Sequence, residues 1–211
     1  WLAPAIGRGQ QRPEKTSHGE RRGGDRLSVY ALAFILVYFT GMASLWPFLE
    51  RIGADAGFDP ATVALALSGS AFGGLAGSLV AGAVAGRLSR TAGLLIGTAI
   101  LACGIAGLAL PIGAWGFAAS IWLFAFAWPF QYAFQFGLLA SVDRHGRVAT
   151  LTPAITGGGL TLGPALGGFL LADLGVAGLG LFCLACVAIA VGGAIGVGRR
   201  ANRDAAHSIT F

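Results

Sequence analysis

Apolar residues run almost unbroken through six stretches of the chain, at about residues 27–49, 60–86, 91–111, 114–141, 147–172 and 175–198, and the charged residues collect between them. A helix rises about 1.5 Å per residue, so about 20 mostly apolar residues cross a hydrocarbon core about 30 Å thick. Each stretch meets that length. The pattern predicts an all-α membrane protein with six transmembrane helices, a polar Arg-rich segment at 1–26 that reads as a cytoplasmic linker, and a cytoplasmic C-terminal tail at 199–211. Asp59-Pro60 marks the firmest boundary, because an aspartate oxygen caps free helix N–H groups and proline lacks an N–H that the first helical position does not need.

Composition agrees with that solvent. Apolar residues make up 55% of the chain and charged residues 11%, against about 25% charged in a soluble domain. Residues 1–26 have no apolar core of the kind a signal peptide carries. Trp1 stands where an initiator Met would, which reads as a fragment of a longer chain. Cys103, Cys183 and Cys186 all fall inside apolar stretches, where cysteine behaves as a small hydrophobe and implies no disulfide framework.

Charge orients the spans. Arg8, Arg12, Lys15, Arg21, Arg22, Arg26, Arg87, Arg90, Arg144, Arg147, Arg199, Arg200 and Arg203 occupy segments that share one side if six spans are crossed. Arg51 alone falls on the other side, with Glu50, Asp55, Asp59 and Asp173. The positive-inside rule makes the crowded side cytoplasmic and places both termini there, in an inner or plasma membrane. The net charge of +5 is then explained by topology and anionic lipid headgroups, with no nucleic-acid motif to suggest another partner.

Small residues organise the spans into triplets. Gly69, Gly73 and Gly77 recur every fourth residue in the second span, and Gly159, Gly163 and Gly167 do so in the fifth. Such ridges let helix backbones approach closely, which matters where lipid gives no hydrophobic drive to association. The third and sixth spans carry almost no polar side chain and read as lipid-facing. Each triplet is thus a helix with scattered polar groups, a glycine-ridged helix and an apolar helix. Two triplets crossing in opposite directions form an inverted repeat.

On these residues the sequence resembles the major facilitator superfamily, over about residues 27–198. The run from Gly159 through Gly163-Pro164 to Gly167-Gly168 matches the G-x-x-x-G-P-x-x-G-G pattern of that family's antiporters. The loop Gly86-Arg87-Leu88-Ser89-Arg90 is similar to the family's second–third loop motif without its Asp, and Asp143 to Arg147 is similar to the D-x-x-G-R part of it. The missing Asp suits the C-terminal six-helix half. The N-terminal half stays an alternative, because the glycine–proline run lies in a fifth helix here. The resemblance implies alternating access by two six-helix halves around a mid-membrane solute site, so an N-terminal half and a small-molecule substrate are the implied partners, beside the lipid bilayer. It also implies that Arg87, Arg90, Asp143 and Arg147 are cytoplasmic contacts that stabilise one conformational state.

Candidate solute contacts follow from polar groups that lipid cannot satisfy. Trp128, Gln131, Tyr132 and Gln135 recur at helical spacing on the fourth span, beside Pro129. Their amides and phenol must face the bundle or a watery cavity, and the residues leave both open: a cavity-lining stripe or interhelical hydrogen bonds. Tyr38 and Ser44 of the first span, Ser68 of the second and Thr156 of the fifth are further cavity-lining candidates, although hydroxyls in membrane helices often bond their own backbone.

Catalysis finds no support in the residues. His18, His145 and His207 all fall in predicted loops or tails, which removes a Ser–His arrangement within the membrane. Cys183 and Cys186 have no His or carboxylate beside them, so neither a metal nor a cofactor is expected. The reading is half of a secondary active transporter for a small organic solute, not an enzyme. The alternative is a non-transporting membrane scaffold or a membrane-embedded enzyme subunit.

Overall fold

The computed structural model describes residues 18–142 and 147–208, and these form helices joined by short connections. They are α1 (His18–Leu45), a 3-10 turn (Trp46–Phe48), α2 (Leu49–Asp55), α3 (Pro60–Val84), α4 (Arg90–Leu108), α5 (Gly113–Val142) and α6 (Arg147–Ser208). Among the described residues, five helical segments are long and apolar enough to cross a membrane: Leu27–Asp55, Pro60–Val84, Arg90–Leu108, Gly113–Ser141 and Thr150–Arg200. The chain therefore has the build of an all-α integral membrane protein.

Local chemistry sets the boundaries. Asp59 Oδ1 accepts from the amides of Ala61 and Thr62, both at 3.1 Å, and Ser89 Oγ accepts from the amide of Ala92 at the start of α4, also at 3.1 Å. Pro47 lies in the 3-10 turn that separates α1 from α2, where its ring removes a helical donor. α1 begins at His18, earlier than the expected 27, and α6 continues to Ser208 through part of the expected tail. The expected breaks before 60, 91 and 114 lie within one residue of the observed helix starts.

α6 holds the main departure from the expected spans. Helical hydrogen bonding carries it from 147 to 208 as one element, but Gly175 adopts φ 65° and ψ −168°, which is not helical. Its two arms, 147–174 and 176–208, run in opposite directions. Gly159 packs against Leu36 and Phe39, Gly163 against Thr40 and Ala43, and Gly167 against Ser44 and Phe48, so the first arm advances with α1. Gly193 packs against Phe34 while Cys183 and Cys186 pack against Gly41, so the second arm runs against α1.

α5 is surrounded in the same manner. Gly69 and Gly73 pack against Trp122, and Gly77 against Phe126, so α3 runs parallel to α5. Gly93 packs against Phe134, Gly97 against Gln131, and Gly104 against Ser120 and Phe124, so α4 runs antiparallel to it. The core lies along these seams, with Tyr38, Met42, Leu101, Ile121, Phe124, Leu179 and Val187 fully enclosed.

The expectation that the third and sixth spans face lipid needs correction. Leu94 and Leu101 of α4, and Leu179, Cys183 and Val187 of the second α6 arm, are buried against the bundle. Only their opposite faces, with Leu95 and Ile96 on α4 and Leu181 and Ile189 on α6, are exposed. Apolar composition alone does not separate a lipid face from a packed one, since both are apolar in a membrane protein.

Candidate functional site

α1 and α5 meet along an aromatic seam. Trp46, Phe124 and Trp128 form a near-equilateral set, with ring centroids 6.2, 6.2 and 6.1 Å apart. Trp46 and Phe124 are stacked, and Trp128 presents an edge-on arrangement to both. Phe39 extends the group, 6.3 Å from Trp128 and 6.1 Å from Tyr132, and Tyr132 lies 5.0 Å from Phe136. Aromatic pairs in such geometries contribute about 0.5–1.5 kcal/mol beyond their burial, which holds the rings in fixed relation. The seam is open at two places, since Trp46 is 37% and Tyr132 38% exposed.

The predicted stripe on α5 divides between two neighbours. Trp128 and Tyr132 turn to the rings of α1. Gln131 turns to α4, where its Nε2 donates to Leu94 O at 3.2 Å and to Thr98 Oγ1 at 2.7 Å. Gln135 is buried too. The structure thus joins Trp128, Tyr132 and Tyr38 at one seam and sets Gln131 at another. Thr98 was legible as the hydroxyl in the interior of its span, but nothing in the sequence places it opposite Gln131.

Tyr38 is fully buried, and its hydroxyl donates to the backbone carbonyl of Trp128 at 3.0 Å. The remaining hydroxyl candidates bond locally or lie apart. Ser44 donates to Gly41 O at 2.7 Å, and Thr156 to Pro153 O at 3.1 Å, while Ser68 lies on an exposed part of α3. Thr40 and Ser70 bond their own helices as well. A hydroxyl whose single proton is engaged one turn back retains only acceptor capacity.

The glycine candidates have defined neighbours. A Cβ on Gly69 would lie 2.6 Å from Trp122 Nε1, and one on Gly73 would lie 2.7 Å from Trp122 O. A Cβ on Gly163 would lie 2.7 Å from both Thr40 O and Ala43 Cβ. Gly77 faces Phe126 O, Gly159 faces Phe39 and Gly167 faces Ser44 O, while Pro164 is half-buried inside the first arm of α6. Trp122 locks this contact by donating its Nε1 to Ala66 O at 2.9 Å. Gly93, Gly97 and Gly104 make a third ridge, whose signal in the sequence is their spacing of four and then seven.

Polar connections on the basic side are sparse among the described residues. Arg90 Nη1 donates to Ser141 Oγ at 2.9 Å, which ties the start of α4 to the end of α5, and Arg87 is exposed. Asp143 and the side chain of Arg147 lie outside the described residues. On the opposite side, Arg51 pairs with Asp55 at 3.5 Å as an exposed i,i+4 pair. Among the described residues, no group of three His, Cys, Asp or Glu is placed to hold a metal ion.

Electrostatics outside the spans centre on Asp59. The hydrogen bond from the Thr62 hydroxyl, followed by those from the amides of Thr62 and Ala61, holds its carboxyl below the ordinary aspartate value. The shift reflects capping of α3, since the same oxygens satisfy its first free N–H groups.

Set against family models, curated proteins and solved structures, the chain matches none.

Proposed function

We propose that this chain is a six-helix half of a secondary active transporter, moving a small organic solute across a plasma or inner membrane by alternating access. The observation that carries the reading is a packing scheme that occurs twice. α1 lies between a parallel helix docked through three glycines at four-residue spacing and an antiparallel helix, namely the two arms of α6. α5 lies between α3, parallel and docked through three glycines at the same spacing, and the antiparallel α4.

Counted as spans, one packs on five and six while four packs on two and three. Relating spans one to three with spans four to six exchanges these two sets of contacts. A repeat of three crossings enters the bilayer from opposite sides each time, so the relation is an inverted one. The count of six rests on Gly175: the 51 residues of Thr150–Arg200 would extend about 77 Å as one straight helix, far beyond a core of about 30 Å.

The basic residues of the 87–90 loop and of the chain end at Arg199, Arg200 and Arg203 then share the cytoplasmic side. The solute surface in this reading is the open aromatic seam of Trp46, Trp128 and Tyr132. Those rings suit a neutral or amphipathic solute, and the N-terminal half supplies the facing wall. No charged side chain lies deep in the described spans, so a coupling ion would be held elsewhere in the complete transporter.

Solute flux into proteoliposomes holding the native polypeptide that carries this chain tests the reading. Saturable uptake that is accelerated by counterflow, and whose half-saturation changes in Trp128→Ala, supports it. Absence of any saturable flux across neutral and amphipathic aromatic solutes, with the protein folded and inserted, contradicts it.

A further inference from the structure

Helix α5 carries two amides that are buried but incompletely bonded, Gln131 at the seam with α4 and Gln135 one turn further along. Gln131 is 0% exposed and its Oε1 accepts from no group among the described residues. Gln135 is 5% exposed and its Nε2 donates to none. The free atoms are complementary, one an acceptor and the other a donor, on side chains one helical turn apart and so neighbours on one face. In a lipid-embedded interface neither can turn to bulk water, and leaving both unmatched is costly.

Gln131 is otherwise fixed. Its Nε2 holds Leu94 O and Thr98 Oγ1, and Gly97 offers no side chain where the Gln131 Cγ lies. A rotation that freed Oε1 to meet another group would break both bonds to α4. Gln135 carries no such tether among the described hydrogen bonds, so its amide is the adaptable member.

We propose that a single water molecule binds between Gln131 and Gln135, donating to Gln131 Oε1 and accepting from Gln135 Nε2. Size decides the class of ligand. Hydrogen bonds of about 2.8–3.0 Å on each side let one water span two side chains a turn apart, and the near-complete burial of both amides leaves no passage for a solute. The water makes this buried face of α5 a hydrated polar joint beside the Gln131–Thr98 bond, separate from any solute that binds at the aromatic seam.

Water–amide nuclear Overhauser spectroscopy on the chain in lipid nanodiscs, with 15N-labelled glutamine, tests this. The Gln135 side-chain NH2 is expected to show a cross-peak to a long-lived water, and Gln131→Met is expected to abolish it while the backbone fingerprint persists. Retention of the cross-peak in folded Gln131→Met overturns the proposal. So does a wild-type Gln135 amide with no water cross-peak, including one showing a scalar coupling to the Gln131 side-chain carbonyl, which reports a direct bond. Should Gln131→Met fail to fold, the wild-type cross-peak decides by itself, and Gln135→Glu, which removes the NH2 donor, serves as the control that must lack it.

Discussion

The hydroxyl of Tyr38 reaches across from α1 to donate to the backbone carbonyl of Trp128, 3.0 Å away, at a residue whose ring lies against Phe39, Trp46 and Phe124. One bond therefore sets the height of α1 against the aromatic seam. Tyr38→Phe keeps the ring and removes the donor. Interhelical hydrogen bonds in membranes average about 0.6 kcal/mol, so the variant is expected to unfold at slightly lower denaturant, with a stability loss of that order. Unfolding from bicelles by SDS titration measures it, and a loss of several kcal/mol would mean that the bond does more than align two helices.

The glycine ridges give a sharper contrast. Gly73→Ala and Gly163→Ala each place a methyl 2.7 Å from a neighbouring backbone oxygen, and overpacking of this kind costs about 1–3 kcal/mol. Gly82 and Gly192 have nothing within 4 Å of an added Cβ, so alanine there is expected to be neutral or to stabilise by about 0.5–1 kcal/mol. The same titration on all four variants checks this, and equal effects at packed and open sites would remove the close-packing argument.

These two cases also mark what the sequence could convey. Asp59-Pro60 announced the start of α3 because capping is local chemistry, and four-residue glycine spacing announced close packing because it is a property of one helix. Which helix each ridge meets was not legible, since Trp122 and Ala43 stand opposite their glycines only through the chain's path in three dimensions. The α5 stripe was legible as a polar face but not as two faces. Trp128 and Tyr132 lean toward α1 while Gln131 finds Thr98 on α4, whose almost wholly apolar run had made it look like a lipid helix. A break in 147–208 was legible from Asp173 interrupting the apolar run between 172 and 175, whereas the turn at Gly175 itself was placed inside the sixth span.

Gly175 carries a backbone that other residues avoid. At φ 65° and ψ −168° it lies in a region almost confined to glycine, where a side chain costs about 1–3 kcal/mol. Gly175→Ala is expected to destabilise the fold by that amount although its Cβ would meet nothing within 4 Å. A variant as stable as Gly82→Ala would show that the reversal does not need this conformation.

The cap of α3 should titrate late. The Asp59 carboxyl is held below its ordinary value, so its bonds to Ala61 and Thr62 are present throughout neutral and mildly acid pH and are lost only as pH falls through the lowered folded value. The Thr62 amide resonance, followed from pH 7 downward, is expected to shift with a midpoint below that of an unperturbed aspartate, about 3.9. Asp59→Asn is expected to abolish the shift. Movement centred at or above pH 4 would contradict the capped geometry.

The most direct test of a six-crossing half is the sidedness of single cysteines, introduced at Arg87, Asp55, Asp173 or Arg203 after Cys103, Cys183 and Cys186 are replaced by Ala, in membranes of intact cells. With the chain reversing at Gly175, an impermeant thiol reagent applied outside labels the cysteines at Asp55 and Asp173, and those at Arg87 and Arg203 react only once the membrane is opened. Labelling of Arg203→Cys from outside, together with protection of Asp173→Cys, would mean that α6 crosses once, and the paired three-helix account would fail.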